Sequence, residues 1–234
     1  TIGGYGMQNI ISDALANAGT DVYDVEVTLH GWKFLYPYYN VIGEGGVVQG
    51  NDVVNEGDAY ASYTASVYNY DYNRDGTPKS YPSVAWAAAE SDYHGFVYKY
   101  YLNVPDSVRE YFEYIISEEN ISGTVSGMIR DVLDYVGNAA EFDRDYDDAL
   151  DDEEDVVLAF LREYKEGDSQ HFASAATLML RTLGIPARYT KGYAATTTAG
   201  ETVDVTDEAQ HAWVEVYLND FGWVAVDATP QEGI

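Results

Sequence analysis

The 234-residue sequence contains no cysteine, only 12 lysines and arginines against 40 aspartates and glutamates, and no long apolar run. Each shortage excludes something. Without cysteine there is no disulfide, no thiolate metal site and no thiol nucleophile in the chain as written. The formal charge of −28 repels nucleic acid and anionic lipid, so roles on either surface are excluded as primary functions. No segment approaches the ~18 apolar residues of a membrane-spanning helix, so no membrane contact is expected from this segment. No basic-then-apolar leader opens the chain. It begins at Thr1, and trimming of the N-terminus is expected. What remains is a globular composition, with 46% hydrophobic residues and enough length to bury a core. The 23 tyrosines, many in the first half, suit an exported, β-rich surface.

Hydrophobic periodicity divides the chain in two: a β-rich region over residues 1–100 and a mixed core over 101–234. YGMQNIISDALANA (5–18) has the spacing of a short amphipathic helix. DVYDVEVTL, YASYTASVYNY and HGFVYKYYL alternate apolar and polar residues as strands do, separated by Gly- and Asn-rich turns. Pro105 opens a helix over PDSVREYFEYIIS. TVSGMIRDVLDYVG is expected to be a second helix ending at Gly137. The acidic loop FDRDYDDALDDEED leads to a third over DVVLAFLREYK, and EGDSQHFASAATLMLRTL is a fourth. After Gly184 and Pro186 the pattern turns to strands: ARYTKGYAAT, AQHAWVEVYL and GWVAVDAT, the last two joined at NDFG. Helices followed by an antiparallel sheet make the core an α+β fold.

The fourth helix begins with four polar residues, Asp168, Ser169, Gln170 and His171, more than a cap requires. Its start, His211 near the beginning of one strand and Asp227 at the end of the next fall at one edge of the α+β core. A hydroxyl, an imidazole and a carboxylate that orients the imidazole are the parts of an acyl-transfer site. The helix N-terminus adds free N–H groups and the positive end of the helix dipole.

The words around these residues are more specific. GDSQHFASAATLMLRTLGIPARYTKGY, followed by QHAWVEVYLNDFGWVAVDATP, closely resembles the core of the transglutaminase-like superfamily over residues 155–230. The family pattern is Gly-x-Cys, Phe-Ala, Leu-Arg-x-x-Gly-Ile-Pro-Ala-Arg, Gly-Tyr, His-Ala-Trp-x-Glu-Val and Gly-Trp-x-x-Val-Asp-x-Thr-Pro. Ser169 stands where the family has its catalytic Cys. The resemblance makes His211 the base and Asp227 its orienting acid, on a papain-like core. It implies thiol acyl transfer or hydrolysis at protein or peptide amides: crosslinking, deamidation or proteolysis. The helices from Tyr101 to Lys165 resemble those of bacterial cell-envelope members. They imply an extracellular or envelope location, with tethering by regions absent here.

A hydroxyl is too weak an acid for a helix dipole and an imidazolium to ionise it as they ionise a thiol. Three readings stand open: an introduced Cys→Ser change that quiets an active enzyme, a natural inactive form, or a working Ser-His-Asp hydrolase. The alternative from another class is a non-catalytic extracellular module that binds a peptide or cell-wall stem in the same cleft.

Gln170 and Trp213 are candidate substrate contacts at the cleft. Arg188 is expected to pair with an acid at the sheet, and His171 to sit at the surface or behind the site. No cofactor is required by this chemistry. Calcium is raised by two acidic loops. Asp71, Asn73 and Asp75 alternate before Gly76, but Pro82 stands where the ligand Glu belongs. Asp143, Asp145, Asp147, Asp151 and Glu154 fall on the side-chain ligand positions of such a loop, with Asp148 in place of its Gly.

Overall fold

The computed structural model describes the backbone of residues 22–30, 34–35, 41–42, 47–49, 52–54 and 60–68, and residues 93–146, 155–196, 198–219 and 222–230 in full. The expected helix at 5–18 and the loop carrying Asp71, Asn73 and Asp75 lie outside these residues. One compact unit ends at Gly95 and a second begins at Phe96.

In the first unit, strand β1 (Val22–His30) pairs antiparallel with β6 (Tyr60–Tyr68), which also pairs with β3 (Val41–Ile42). A second sheet holds β2 (Phe34–Leu35), β5 (Asp52–Val54) and β4 (Val47–Gln49) in that order. Both long strands lie on the alternating segments read from the sequence.

HGFVYKYYL, expected to be a strand, is instead helical over residues 93–100 (α1). Its aromatic residues recur at the helical period as well as the strand period. The rings of Phe96 and Tyr100, four residues apart, lie 4.8 Å from one another. Val97, between them, is fully buried, and its carbonyl accepts from Tyr101 N. Side-chain contacts at the i,i+4 spacing therefore override strand propensity.

The second unit is built around helix α5 (Ser169–Thr182). Helix α2 (Asp106–Glu118) and helix α3 (Val125–Ala139) pack on it from one side, and strands β9 (Ala187–Tyr193) and β10 (Gln210–Leu218) from the other. Burial on both sides explains why α5 is apolar over most of its circumference. Phe172, Ala175, Ala176, Met179 and Leu180 are fully buried in it, meeting Phe112, Val132, Val136, Val214 and Val216. The alanines let the sheet approach closely, and Ala187 and Ala212 face them at zero exposure.

Helix α3 runs two residues past Gly137 instead of ending there. A Cβ at Gly137 would lie 3.2 Å from the carbonyl oxygen of Ala228, so the glycine serves close packing of the chain just after Asp227. The third helix is short. α4 (Val156–Ala159), capped by Asp155, passes into a π turn over Phe160–Tyr164, closed by Lys165 with φ 53°. The chain then forms β8 (Glu166–Gly167), parallel to β7 (Glu141–Phe142), a pairing that two residues per strand leave unsigned in sequence.

β10 is the centre of an antiparallel sheet, with β9 on one side and β11 (Gly222–Val226) on the other. The register sets His211 opposite Gly192, Trp213 opposite Thr190 and Glu215 opposite Arg188. Period-2 alternation then places His211, Trp213, Glu215 and Tyr217 on one face, and the α5-facing Ala212, Val214 and Val216 on the other.

Candidate functional site

Helix α5 starts on a tightly determined turn. Asp168 is its N-cap, with Oδ1 accepting from Gln170 N at 2.9 Å and His171 N at 3.3 Å. Oδ2 accepts from Gln170 Nε2 at 2.8 Å. His171 Nδ1 lies 2.7 Å from Asp168 Oδ1 and 3.3 Å from Asp168 N. One nitrogen cannot donate and accept at once, and the shorter, charge-assisted contact with the carboxylate fixes Nδ1 as the donor. The imidazole sits between the rings of Tyr146 and Phe160, each 5.4 Å away. It is thus a packed, partly buried group rather than a surface one. Gly167 is required beneath it, since a Cβ there would lie 2.9 Å from His171 Cβ.

Burial alone would raise the Asp168 carboxyl. The hydrogen bonds from His171 and Gln170 and the nearby imidazole outweigh it and hold Asp168 at about 2. The unfolded group titrates near 4, so its folded-state value is depressed. Its stabilisation is present above pH ~4 and lost as pH falls through about 2. Asp168→Asn removes that dependence. Acid unfolding followed by circular dichroism should show a shallower loss of stability over this window than the unchanged chain, with about 1 kcal/mol lower stability at neutral pH from the loss of charge-assisted hydrogen bonds to His171 and Gln170.

Ser169 is the first residue of α5 and is 8% exposed. Its Oγ accepts from Ala212 N at 3.1 Å, which ties the helix start to β10 one residue beyond His211. The N–H groups of Gln170 and His171 are taken by Asp168, and Phe172 N reaches Asp168 O. Among the described residues, no hydrogen bond uses Ser169 N.

His211 Nε2 donates to Asp227 Oδ2 at 2.7 Å. Asp227 follows the end of β11 and is itself held by Thr229 N, which donates to Oδ1 at 2.9 Å. Pairing through Nε2 leaves His211 Nδ1 available for proton transfer. The indole of Trp213 stacks near-parallel to the His211 ring, 6.5 Å away and 15° inclined. Gly192 makes room for it, as a Cβ there would lie 2.8 Å from Trp213 Cη2. Ser169 Oγ thus meets the backbone of β10 at Ala212, next in sequence to His211, whose ring pairs with Asp227 and stacks near Trp213.

Gln170 is exposed next to Ser169. Besides its bond to Asp168, its Oε1 accepts from Lys191 Nζ at 3.3 Å and Tyr189 OH at 3.4 Å. Neither partner was singled out in the sequence. The signal was the alternation of ARYTKGY, which puts Tyr189 and Lys191 on the α5-facing side of β9. Burial, and secondarily the charge of Asp168, raises the Tyr189 phenol above its usual value.

Arg188 pairs across the sheet with Glu215, both guanidinium Nε and Nη2 reaching Glu215 Oε2. Arg188 also lies 4.4 Å over the ring of Trp223, which packs edge-on with Tyr101 and Tyr217 as well. The expected acid partner is therefore on the neighbouring strand, in direct register. Of the second acidic loop, Asp143 and Asp145 are described, with Asp145 N donating to Asp143 Oδ1 at 3.0 Å. Asp147, Asp151 and Glu154 lie outside the described residues. Among the described residues no three His, Asp or Glu side chains are grouped to hold a metal ion.

The sequence profile of the transglutaminase-like superfamily matches residues 117–228. That segment, just under half of the chain, is similar to the transglutaminase-like core. A Bacillus subtilis (strain 168) protein, the uncharacterized YebA, is 30% identical over 189 residues, covering 77% of this chain and 24% of the relative. A protein-glutamine gamma-glutamyltransferase of Pseudomonas aeruginosa is 39% identical over 79 residues, 33% of this chain and 12% of that enzyme. The chain thus spans a quarter or less of both. The transglutaminase-like fold is shared with the crystal structure of the periplasmic domain of TgpA from Pseudomonas aeruginosa bound to ethylmercury. That likeness has a TM-score of 0.58 at 18% identity, over 88% of this chain and 71% of that one. Among the described residues no helix is long and apolar enough to cross a membrane.

Proposed function

We propose that this chain holds the core of a thiol acyl-transfer enzyme acting on protein or peptide amides, with its nucleophile position filled by Ser169. The observation that carries this reading is the hydrogen-bonded His211–Asp227 pair set one residue from Ala212, whose N–H reaches the Ser169 side chain. A thiolate at position 169 would attack the amide carbonyl carbon. Ser169 N–H, at the positive end of α5, would receive the developing oxyanion. His211 Nδ1 would hand a proton to the departing ammonia or amine, while Asp227 holds the ring and stabilises its charge. Water or a second amine would then open the thioester, giving hydrolysis, deamidation or crosslinking.

The similarity of residues 117–228 to the superfamily's core and the fold shared with a periplasmic domain support an envelope or extracellular location. The −28 charge argues against nucleic acid as a partner. A second reading, a binding module on the same scaffold, is favoured by one observation: Ser169 Oγ is buried and engaged by a backbone N–H, as a structural hydroxyl would be.

Mass spectrometry separates the two. Ser169→Cys incubated with a glutamine-containing peptide should gain the peptide mass less ammonia, as an adduct that hydroxylamine removes. No adduct on a thiol shown to be accessible would favour the binding module.

A further inference from the structure

Lys191 is one of only 12 basic residues against 40 acidic ones, and it sits beside the nucleophile position. Its place there is fixed twice. The β9–β10 register pairs Lys191 with Ala212, the residue whose N–H reaches Ser169 Oγ at 3.1 Å. Its ammonium also donates to Oε1 of Gln170, the residue after Ser169, at 3.3 Å. An ammonium carries three donors, and this contact uses one. Lys191 is exposed, so its other donors are open to solvent and to a molecule that approaches Ser169. Tyr189, two residues back on the same face, adds a hydroxyl 3.4 Å from the same oxygen.

The opposing charge is Asp168, and it is already engaged. Both of its oxygens are covered by donors of Gln170 and His171. The Gln170 amide therefore stands between the two charges, its nitrogen on Asp168 and its oxygen on Lys191. A positive group held in one place at the mouth of a site discriminates by charge at little ordering cost.

We propose that Lys191, seconded by Tyr189, is a specificity-determining residue that selects acyl donors carrying a carboxylate next to the amide under attack. This rests on the acyl-transfer reading above. The chemical class is an anionic peptide, its carboxylate supplied by an acidic side chain or by a chain end.

Ser169→Cys allows a test free of any assumed substrate. The introduced thiol is alkylated at low ionic strength by iodoacetate, which is anionic, and by iodoacetamide, which is neutral and of similar size. Lys191→Met should lower the iodoacetate-to-iodoacetamide rate ratio roughly five-fold, while Lys191→Arg keeps most of it. Added salt should shrink the difference. The iodoacetamide rate reports whether each variant is folded and its thiol accessible. A ratio unmoved by Lys191→Met overturns the proposal. If instead both reagents react slowly, with the pH profile of an ordinary thiol, the acyl-transfer reading fails first and the specificity proposal with it. A peptide with a free C-terminal carboxylate and one with an internal Asp, each compared with its amide, then separate the two sources. Preference for neither carboxylate over its amide also overturns the proposal.

Discussion

Ser169→Cys should raise turnover of a glutaminyl amide by about 10³-fold over the chain as it stands, equivalent to roughly 4 kcal/mol of barrier. The reason is the acidity of the attacking group. A thiol at a helix N-terminus beside an imidazole is a thiolate at neutral pH. Ser169 has the same helix start, but in the proposed reaction its hydroxyl would have to lose a proton to His211 during attack. A site shaped for a C–S bond places the shorter-reaching oxygen badly for that step. Its Oγ is moreover occupied by Ala212 N–H, which must be given up or kept strained as the oxygen moves. Ammonia release by coupled assay measures the change. The same assay on Ser169→Cys/Asp227→Asn should show most of the gain lost, because His211 then lacks the carboxylate that orients it.

The largest expected effect on stability lies away from the reacting atoms. Glu215 is only 6% exposed and meets Arg188 directly across the strands. Arg188→Met leaves a buried carboxylate without its partner and should cost about 3 kcal/mol, lowering the melting temperature by roughly 10 °C. The packing of the Arg188 guanidinium over Trp223 is lost as well. The double change Arg188→Met/Glu215→Leu removes both charges. It should recover a large part of the loss, since the penalty comes from the orphaned carboxylate and not from the absence of an attraction. A calorimetric scan of the three variants checks this. Equal losses in the single and double variants would assign the effect to packing on Trp223 instead.

The core elements were legible because each has a local cause. Asp168 announces the start of α5, alternation announces β10, and the resemblance to the superfamily supplies the register of roles for His211 and Asp227. Three features were not legible, each for a physical reason. Residues 93–100 contain aromatics that satisfy both the strand and the helix period, and only the tilted ring contact of Phe96 with Tyr100 decides between them. Gly137 reads as a helix end in one dimension, but the carbonyl that crowds it belongs to Ala228, 91 positions later by numbering. The Gln170–Lys191 contact joins a helix start to a strand whose register depends on β10. His171 illustrates a partial success. Its sequence position left it either at the surface or behind the site, and only its enclosure by Tyr146 and Phe160, which depends on tertiary packing, decides between them.

The central claim is that Ser169, His211 and Asp227 form an assembled acyl-transfer site whose nucleophile alone is exchanged. The direct measurement is the iodoacetamide alkylation rate of Ser169→Cys against pH, with and without His211→Ala. The account predicts rapid reaction well below the ~8.5 at which a free thiol ionises, slowed at least ten-fold when His211 is replaced. A thiol that titrates as a free cysteine does, at a rate indifferent to His211→Ala, would contradict it.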